Sequence, residues 1–227
     1  MATNLMRERD PARSREAILD AAARLFAERG FANTSLSEVG AAAGLSRGTP
    51  GYFFGSKQEL YRAVLDRSLA EVRQAVRAGR ERALASGEPA EVVLAGAVGE
   101  YFDFLAARPH FVRLIEWEAL GTGRVAGEAS QQIAVAQEAL TAFVQEVGLE
   151  EELAGDAAQF LLSIIALCWF PLIHQDTVAR ALGLDPDAPG FLERRRRHVV
   201  DLVLHGLRAR CAEAGRDLSF TPTPSTP

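Results

Sequence analysis

Histidine, cysteine and glycine are where catalysis or metal binding would show first, and their spacing favours neither. The four histidines, His110, His174, His198 and His205, are scattered. His198 and His205 stand seven apart, on one side of a helix, but helical metal ligation is normally built on an i, i+4 pair. Cys168 lies in an apolar run and Cys211 near the C-terminus. Both read as small buried hydrophobes, with no disulfide framework or metal cluster implied. No phosphate-binding glycine loop or nucleophile elbow is present, so an enzyme is the weak reading and no cofactor is implied. The constellation with a clear joint purpose is 34–57, TSLSEVGAAAGLSRGTPGYFFGSK. It reads as two short helices, a tight turn between them, and the start of a third. A helix-turn-helix of this spacing can lay its second helix in the DNA major groove.

Local physics sets the elements that position these residues. Ser35 precedes Glu38 by three, and Ser56 precedes Glu59 by three. Both are capping-box patterns and place helix starts near Leu36 and Lys57. Leu36, Val39 and Ala43 share one helical face. Gly44 stands where a left-handed stop is needed, Leu45 can plug the core, and Ser46 can cap a second helix running to about Phe54. Gly48, Pro50 and Gly51 all fall within that second helix, where both residue types are disfavoured. If Ser46 is the cap, Pro50 is the fourth helical residue. If Thr49 is the cap, Pro50 is the first, where proline is welcome. Either way the expectation is a loosened or 3₁₀-like first turn and a regular helix from about Pro50. Two glycines on an exposed helix start would also let backbone approach a phosphate closely. The plainer alternative is a short helix with a tolerated proline.

Residues from about Arg15 to Leu65 resemble the DNA-binding region of the TetR family of bacterial transcriptional regulators. The resemblance is carried by Ile18, Ala21, Ala22, Leu25, Phe26, Gly30, Thr34, Ser35, Val39, Ala43, Gly44, Leu45, Ser46, Gly48, Phe54, Lys57 and Leu60. The family commonly has leucine and tyrosine where this chain has Pro50 and Gly51, and that tyrosine usually contacts a DNA phosphate. Tyr52 is the nearest residue able to take the contact over. By position, the resemblance implies phosphate contacts from Thr34 or Ser35, Tyr52 and Lys57, with Ser46 and Gly51 at the same surface. It makes Arg47, Gly48 and Thr49 the candidates for base-edge readout. An arginine can bond guanine bidentately, and a threonine methyl can pack on thymine.

Charge distribution agrees with one end meeting DNA. The chain of 227 residues carries a net charge of −5, which by itself does not describe a nucleic-acid binder. Residues 1–57 carry 8 basic and 6 acidic groups, giving +2, and the remainder gives −7. A weakly positive head on an acidic body fits. Arg7, Arg9, Arg13 and Arg15 form a basic start, read either as an arm touching the groove or as a solvated segment. The N-terminus lacks the apolar run of a signal peptide, so a cytoplasmic location is expected.

The rest reads as helix after helix with no strand pattern. The fold class expected is all-α: a three-helix helix-turn-helix head joined to a larger helical body. The expected division is a basic arm at 1–10, the head at 11–57, the body at 58–214, and a disordered TPTPSTP tail within 215–227. Asp10 caps a first helix from Pro11 to Arg29, closed by Gly30. A long helix runs from Lys57 to about Ala85. Its outer half, EVRQAVRAGRERA, is so polar that it is expected to cross solvent between head and body. Further helices are expected at about 90–107, 109–120 and 128–147, with a loop at 121–127. The apolar run 157–173 is too short for a comfortable membrane span and contains Gln159, Ser163 and Pro171. It reads as a helix buried on two sides, kinked or ended by Pro171. A turn-rich ALGLDPDAPG leads to a last helix at 191–212. Arg194 to Arg197 near its start suggest an anion site or, more plainly, a solvated face.

The last two long helices, 157–173 and 191–212, are more apolar than one small body needs. The resemblance implies a homodimer built on them as a four-helix bundle. It also implies an unknown small-molecule effector in the body, whose binding releases palindromic operator DNA. Phe102, Phe104, Phe111, Trp117, Phe143, Trp169 and Phe170 are the candidate lining residues, against the commoner reading of helical aromatics as core. His110 and His174 are possible polar anchors, and Glu116 and Glu118 flank Trp117. A ligand-responsive regulator, with a repressor the usual case, is therefore the first reading. A helical dimeric small-molecule-binding protein with impaired or lost DNA binding is the alternative, and the Pro50–Gly51 departure is its support.

Overall fold

A computed structural model of the chain describes residues 10–85, 87–120, 137–139, 141 and 154–213. Every regular element among them is helical. They divide into two compact units, one holding 10–68 and 113–120, the other holding 69–85, 87–112, 137–139, 141 and 154–213.

The first unit is the helix-turn-helix head. Helix α1 (Pro11–Arg29) starts where Asp10 accepts the Ala12 N–H at 3.0 Å, with Pro11 in the position that needs no donor. It stops at Gly30, whose φ of 74° suits glycine. Its buried face carries Ile18, Leu19, Ala22, Leu25 and Phe26. Helices α2 (Leu36–Ala42) and α3 (Thr49–Phe54) follow, and then α4 (Lys57–Ala85), started by Ser56 accepting the Glu59 N–H at 3.1 Å. Leu60, Tyr61, Val64 and Leu65 of α4 close the core over Phe26 and Val39. The Phe26 and Tyr61 rings meet edge-on at 4.9 Å. Burying an aromatic of this size stabilises by about 1.5–3 kcal/mol.

A head ending at residue 57 is therefore too short, because α4 supplies the closing wall of its core. The head also takes the second half of α6 (Pro109–Ala119). Leu114 is fully buried in the core, the Trp117 indole N–H donates to the Ala27 carbonyl at 3.2 Å, and the Tyr61 hydroxyl donates to Glu118. Trp117 seals Gly30, where an added Cβ would stand 3.4 Å from the indole. So Trp117 is a wall of the head and stands apart from the body aromatics with which it was grouped.

In the second unit, Gly87 at φ 68° and Pro89 separate α4 from α5 (Ala90–Ala106). The polar outer half of α4 does not cross solvent. Val72 is buried, Glu71 pairs with Arg108 at 3.1 Å, Arg82 pairs with Glu100, and Arg73 and Arg77 both reach Glu138. Gly79 lets α5 close in, since a Cβ there would lie 2.8 Å from Glu100 Cγ. Such exposed pairs are each worth about 0–1 kcal/mol, so they orient the helix more than they hold it. Polarity along this stretch reflects charge pairing on a docked helix.

Helix α7 (Ala154–Ile173) begins three residues earlier than the apolar run suggests. It carries Pro171 inside and ends two residues later, followed by a π-helical turn, Gln175–Ala179. No described helix is long and apolar enough to cross a membrane. After the turns of 181–190 comes α8 (Phe191–Glu213), whose Val199, Val203 and Leu207 form a buried stripe at i, i+4 and i+8. Helix α5 packs along both α7 and α8. Of the expected 128–147 helix, 137–139 and 141 are described and helical. The 121–127 loop, Phe143 and the tail lie outside the described residues.

Candidate nucleic-acid interface

The capping box at α2 is complete. Ser35 Oγ accepts the Glu38 N–H at 3.2 Å, and Glu38 Oε2 accepts the Ser35 N–H at 2.9 Å. Hydrogen bonds from Ser35, first its side chain and then its backbone, hold the Glu38 carboxyl below the usual range, helped by the charges of Arg29 and Lys57. Arg29 also bonds Glu38 directly at 3.1 Å, tying the end of α1 to the start of α2.

The turn works as the glycine pattern requires. Gly44 has φ 69°, and Leu45 tucks its side chain against the core while its N–H bonds the Gly40 carbonyl at 2.9 Å. Gly40 itself was not singled out by sequence, yet it permits the closest approach in the head. A Cβ there would meet the Ser46 carbonyl oxygen at 2.6 Å, Arg47 Cα at 3.1 Å and Pro50 Cδ at 3.2 Å. The signal was available: a glycine inside a short helix costs about 1 kcal/mol against alanine unless packing demands it.

The start of α3 follows neither expected cap, since the N-cap is Gly48 and no side chain caps the helix. Thr49 N–H bonds the Ser46 carbonyl at 3.0 Å in an i to i+3 turn, and the Ser46 and Thr49 hydroxyls bond at 2.6 Å. The α-helix runs from Thr49, with Pro50 second and buried, after a tighter first turn. Proline is harmless there because no intrahelical acceptor awaits its nitrogen. Gly48 has open space around it, and a Cβ on Gly51 would find only Leu36 Cδ1 at 3.9 Å. Neither has a positive φ. Nothing inside the fold requires glycine at these two positions.

Outward from α3 stand Arg47 and Tyr52. Tyr52 is 86% exposed, braced edge-on by Phe53 at 5.5 Å, and no described residue pairs with Arg47. The same head holds an open polar groove of about 480 Å³ lined by Asn33, Thr34, Ser35, Glu38 and Lys57 among others. Two of its residues are already engaged. Thr34 is 2% exposed and its hydroxyl faces the Gly30 and Leu25 carbonyls at 3.0 and 3.3 Å. The Lys57 ammonium donates to the carbonyls of Phe31 (2.9 Å) and Ala32 (3.3 Å) and lies 4.4 Å over the Phe31 ring. An ammonium has three donors, so one remains. Lys57 thus pins the α1–α2 turn while keeping charge at the groove.

Residues 18–64 match the family model described as bacterial regulatory proteins of the tetR family. Residues 91–203 match the model described as the tetracyclin repressor-like C-terminal domain. The chain belongs to the TetR family. Among relatives of this TetR-family regulator is the HTH-type transcriptional repressor NicS of Pseudomonas putida, 28% identical over 86% of this chain and 93% of that protein. Another is the HTH-type transcriptional repressor SCO4008 of Streptomyces coelicolor, 26% identical over 86% of this chain and 100% of that one. A TetR-family regulator from Streptomyces coelicolor shares the fold at a TM-score of 0.65 and 19% identity, covering 91% of this chain and 86% of its own.

The family's usual tyrosine position is Gly51 here, and the structure has room for a side chain there. Replacing Gly51 with alanine in this TetR-family head is expected to raise stability by about 0.5–1 kcal/mol, through helix propensity alone. Urea unfolding measures it. A fall in stability would mean that the backbone at Gly51 is held in a way the open space does not explain.

The body aromatics form one chain, with Phe104 edge-on to Phe111 at 5.7 Å and Phe111 to Trp169 at 5.9 Å. Phe102 is core, and Phe170 is 50% exposed with its ring 4.3 Å from His174. His110 has a buried, unpartnered Nδ1. Among the described residues no cluster of three metal-ligating side chains occurs.

Proposed function

We propose that this protein is a ligand-responsive repressor that binds palindromic operator DNA as a homodimer. The observation that carries the DNA reading is the exposed Arg47 in the turn before α3 and the exposed Tyr52 on α3, in the same head as the groove that holds Lys57. Arg47, Gly48 and Thr49 face base edges. Tyr52, the free donor of Lys57 and the Ser35 end of the groove meet phosphates, with Gly51 allowing close backbone approach. Thr34 acts by shaping the turn, because its hydroxyl is already bonded. The departure at Pro50–Gly51 gives the non-DNA-binding alternative little footing, since α3 runs through both residues.

The homodimer reading draws on an unpartnered face. On α7, Leu162, Ala166 and Phe170 are exposed at i, i+4 and i+8, and on α8 Leu202 is exposed about 100° around the helix from the buried stripe. Exposed apolar residues in register on two long helices fit a four-helix contact with a second copy. The activity assigned is binding alone, in the cytoplasm. An effector in the body relieves repression only by favouring a conformation whose two heads miss the operator spacing.

Gel shift with the DNA upstream of the protein's own gene tests the reading. Arg47→Ala should relax specificity at one base position at a cost of about 1–3 kcal/mol. Lys57→Ala should weaken binding to all sequences alike and reduce the salt slope by about 1. Failure to bind any candidate operator at low salt sinks the proposal.

A further inference from the structure

Arg15 lies three residues before the stretch 18–64 that matches the family model. In sequence it belongs to a basic start, but α1 begins at Pro11, so the helix holds it in place. Its guanidinium lies over the ring of Phe54, with Cζ 5.0 Å from the centroid. Phe54 is the last residue of α3 and packs on the head core. Tyr52, about 200° around the same helix, is exposed. Arg15 therefore stands at the rim of α3, beside the recognition helix.

The charge of Arg15 is not used up inside the head. Its side chain is half exposed, and among the described residues only Glu16 comes within ion-pair range, at 4.0 Å. The other oxygen of Glu16 pairs with Arg67 of α4 at 3.0 Å, and Arg67 also takes Asp20 at 2.8 Å. The carboxylates beside Arg15 on α1 are thus claimed by α4. Stacking on Phe54 occupies the face of the guanidinium and leaves its in-plane N–H groups available. It also holds the fork in one place, so less freedom is lost when an anion arrives.

We infer that Arg15 is a DNA-backbone contact, whose in-plane N–H groups bond a phosphate at the edge of the groove that α3 enters. A planar fork suits two phosphate oxygens. Phosphates carry no sequence, so Arg15 sets the register and tilt of α3 and reads no base. Its phosphate is distinct from that of Lys57. Lys57 reaches the Phe31 and Ala32 carbonyls beyond the far end of α1, about 20 Å along that helix from Arg15. The inference rests on the proposed DNA-binding role of the head and adds a second anchor to it.

Binding of the full chain to duplex DNA across a salt series tests the contact. Arg15→Gln removes the charge, and should lower the salt slope by about 0.9. Its deficit against the unsubstituted protein should then grow about eightfold for each tenfold dilution of salt, on operator and unrelated duplex alike. Arg15→Lys keeps the charge and should restore the slope. The melting temperature of Arg15→Gln without DNA should fall by at most about 4 °C, the share of the Phe54 contact. In operators carrying single methylphosphonates, one position should weaken the unsubstituted protein and leave Arg15→Gln unaffected. That position should differ from the one to which Lys57→Ala is indifferent. An unchanged slope in Arg15→Gln, a slope that Arg15→Lys does not restore, or one phosphate shared with Lys57 would each overturn the inference. So would a larger fall in melting temperature with the slope intact, which makes Arg15 a packing residue only. Unrelated duplex separates the two proposals. Slope lost there, in a protein that finds no operator, keeps the Arg15 contact and removes the repressor. Operator bound with an unchanged slope does the reverse.

Discussion

Replacing Gly40 with valine is expected to abolish operator binding and destabilise the head by about 1–3 kcal/mol or slightly more. The added Cβ alone would sit 2.6 Å from the Ser46 carbonyl oxygen and 3.1 Å from Arg47 Cα. Both obstacles are backbone, so no rotamer change relieves them. Relief requires moving the 46–50 segment away from α2, and that segment carries Arg47 and sets the first turn of α3. The Leu45 N–H bond to the Gly40 carbonyl moves with it. Operator affinity should fall by about 100-fold or more, since a displacement near 1 Å at a set of directional contacts is enough. Urea unfolding and gel shift read the two effects. Gly51→Ala is the control for the unfolding measurement, because its Cβ has only a side-chain methyl at 3.9 Å to meet within the head. A Gly40→Val protein that binds operator normally would mean that α2 and α3 separate at little cost.

Punctuation residues made the helix boundaries legible. Asp10 with Pro11, Gly30, Ser56 with Glu59, and Gly87 with Pro89 each act within a few residues, so their effect on the backbone can be read locally. The ends of α1 and α4 fall where those residues place them. What could not be read depends on where a helix face lands. Trp117 and Phe111 are both aromatics on α6, yet one seals Gly30 in the head and the other joins Phe104 and Trp169 in the body. Periodicity states that a residue is on an apolar face and is silent about which neighbour that face meets. The outer half of α4 misled for a related reason. Its charges read as solvation, whereas Glu71, Arg73, Arg77 and Arg82 are each matched by a charge elsewhere in the same unit. At the interface, residue types were legible and their engagements were not. Thr34 and Lys57 belong to the groove, but their bonds to the Gly30, Phe31 and Ala32 carbonyls come from a turn closing over itself.

Replacing Leu202 with arginine should turn the proposed homodimer into a monomer and take specific operator binding with it. Leu202 is 47% exposed on α8, about 100° around the helix from the buried stripe of Val199, Val203 and Leu207, so its replacement costs the single chain little core packing. Surface changes of this kind alter stability by at most about 0.5 kcal/mol. The substitution matters only if a second copy covers the residue, where each copy would bury an unpaired guanidinium in an apolar contact. Leu162 at 60% and Phe170 at 50% exposure on α7 widen the same prediction, and Phe170→Glu should act alike. The cost to DNA binding follows from valency. One six-residue recognition helix offers few base contacts, and a dimer makes the second half-site encounter intramolecular, at an effective concentration near millimolar. Losing that coupling should lower specific affinity by about 10³-fold or more, toward the non-specific level. Sedimentation velocity at micromolar protein reads the first effect and gel shift the second. A Leu202→Arg protein that sediments as a dimer would move the subunit contact off this face. A monomer that still binds operator tightly would leave the contact in place and remove the need for two coupled heads.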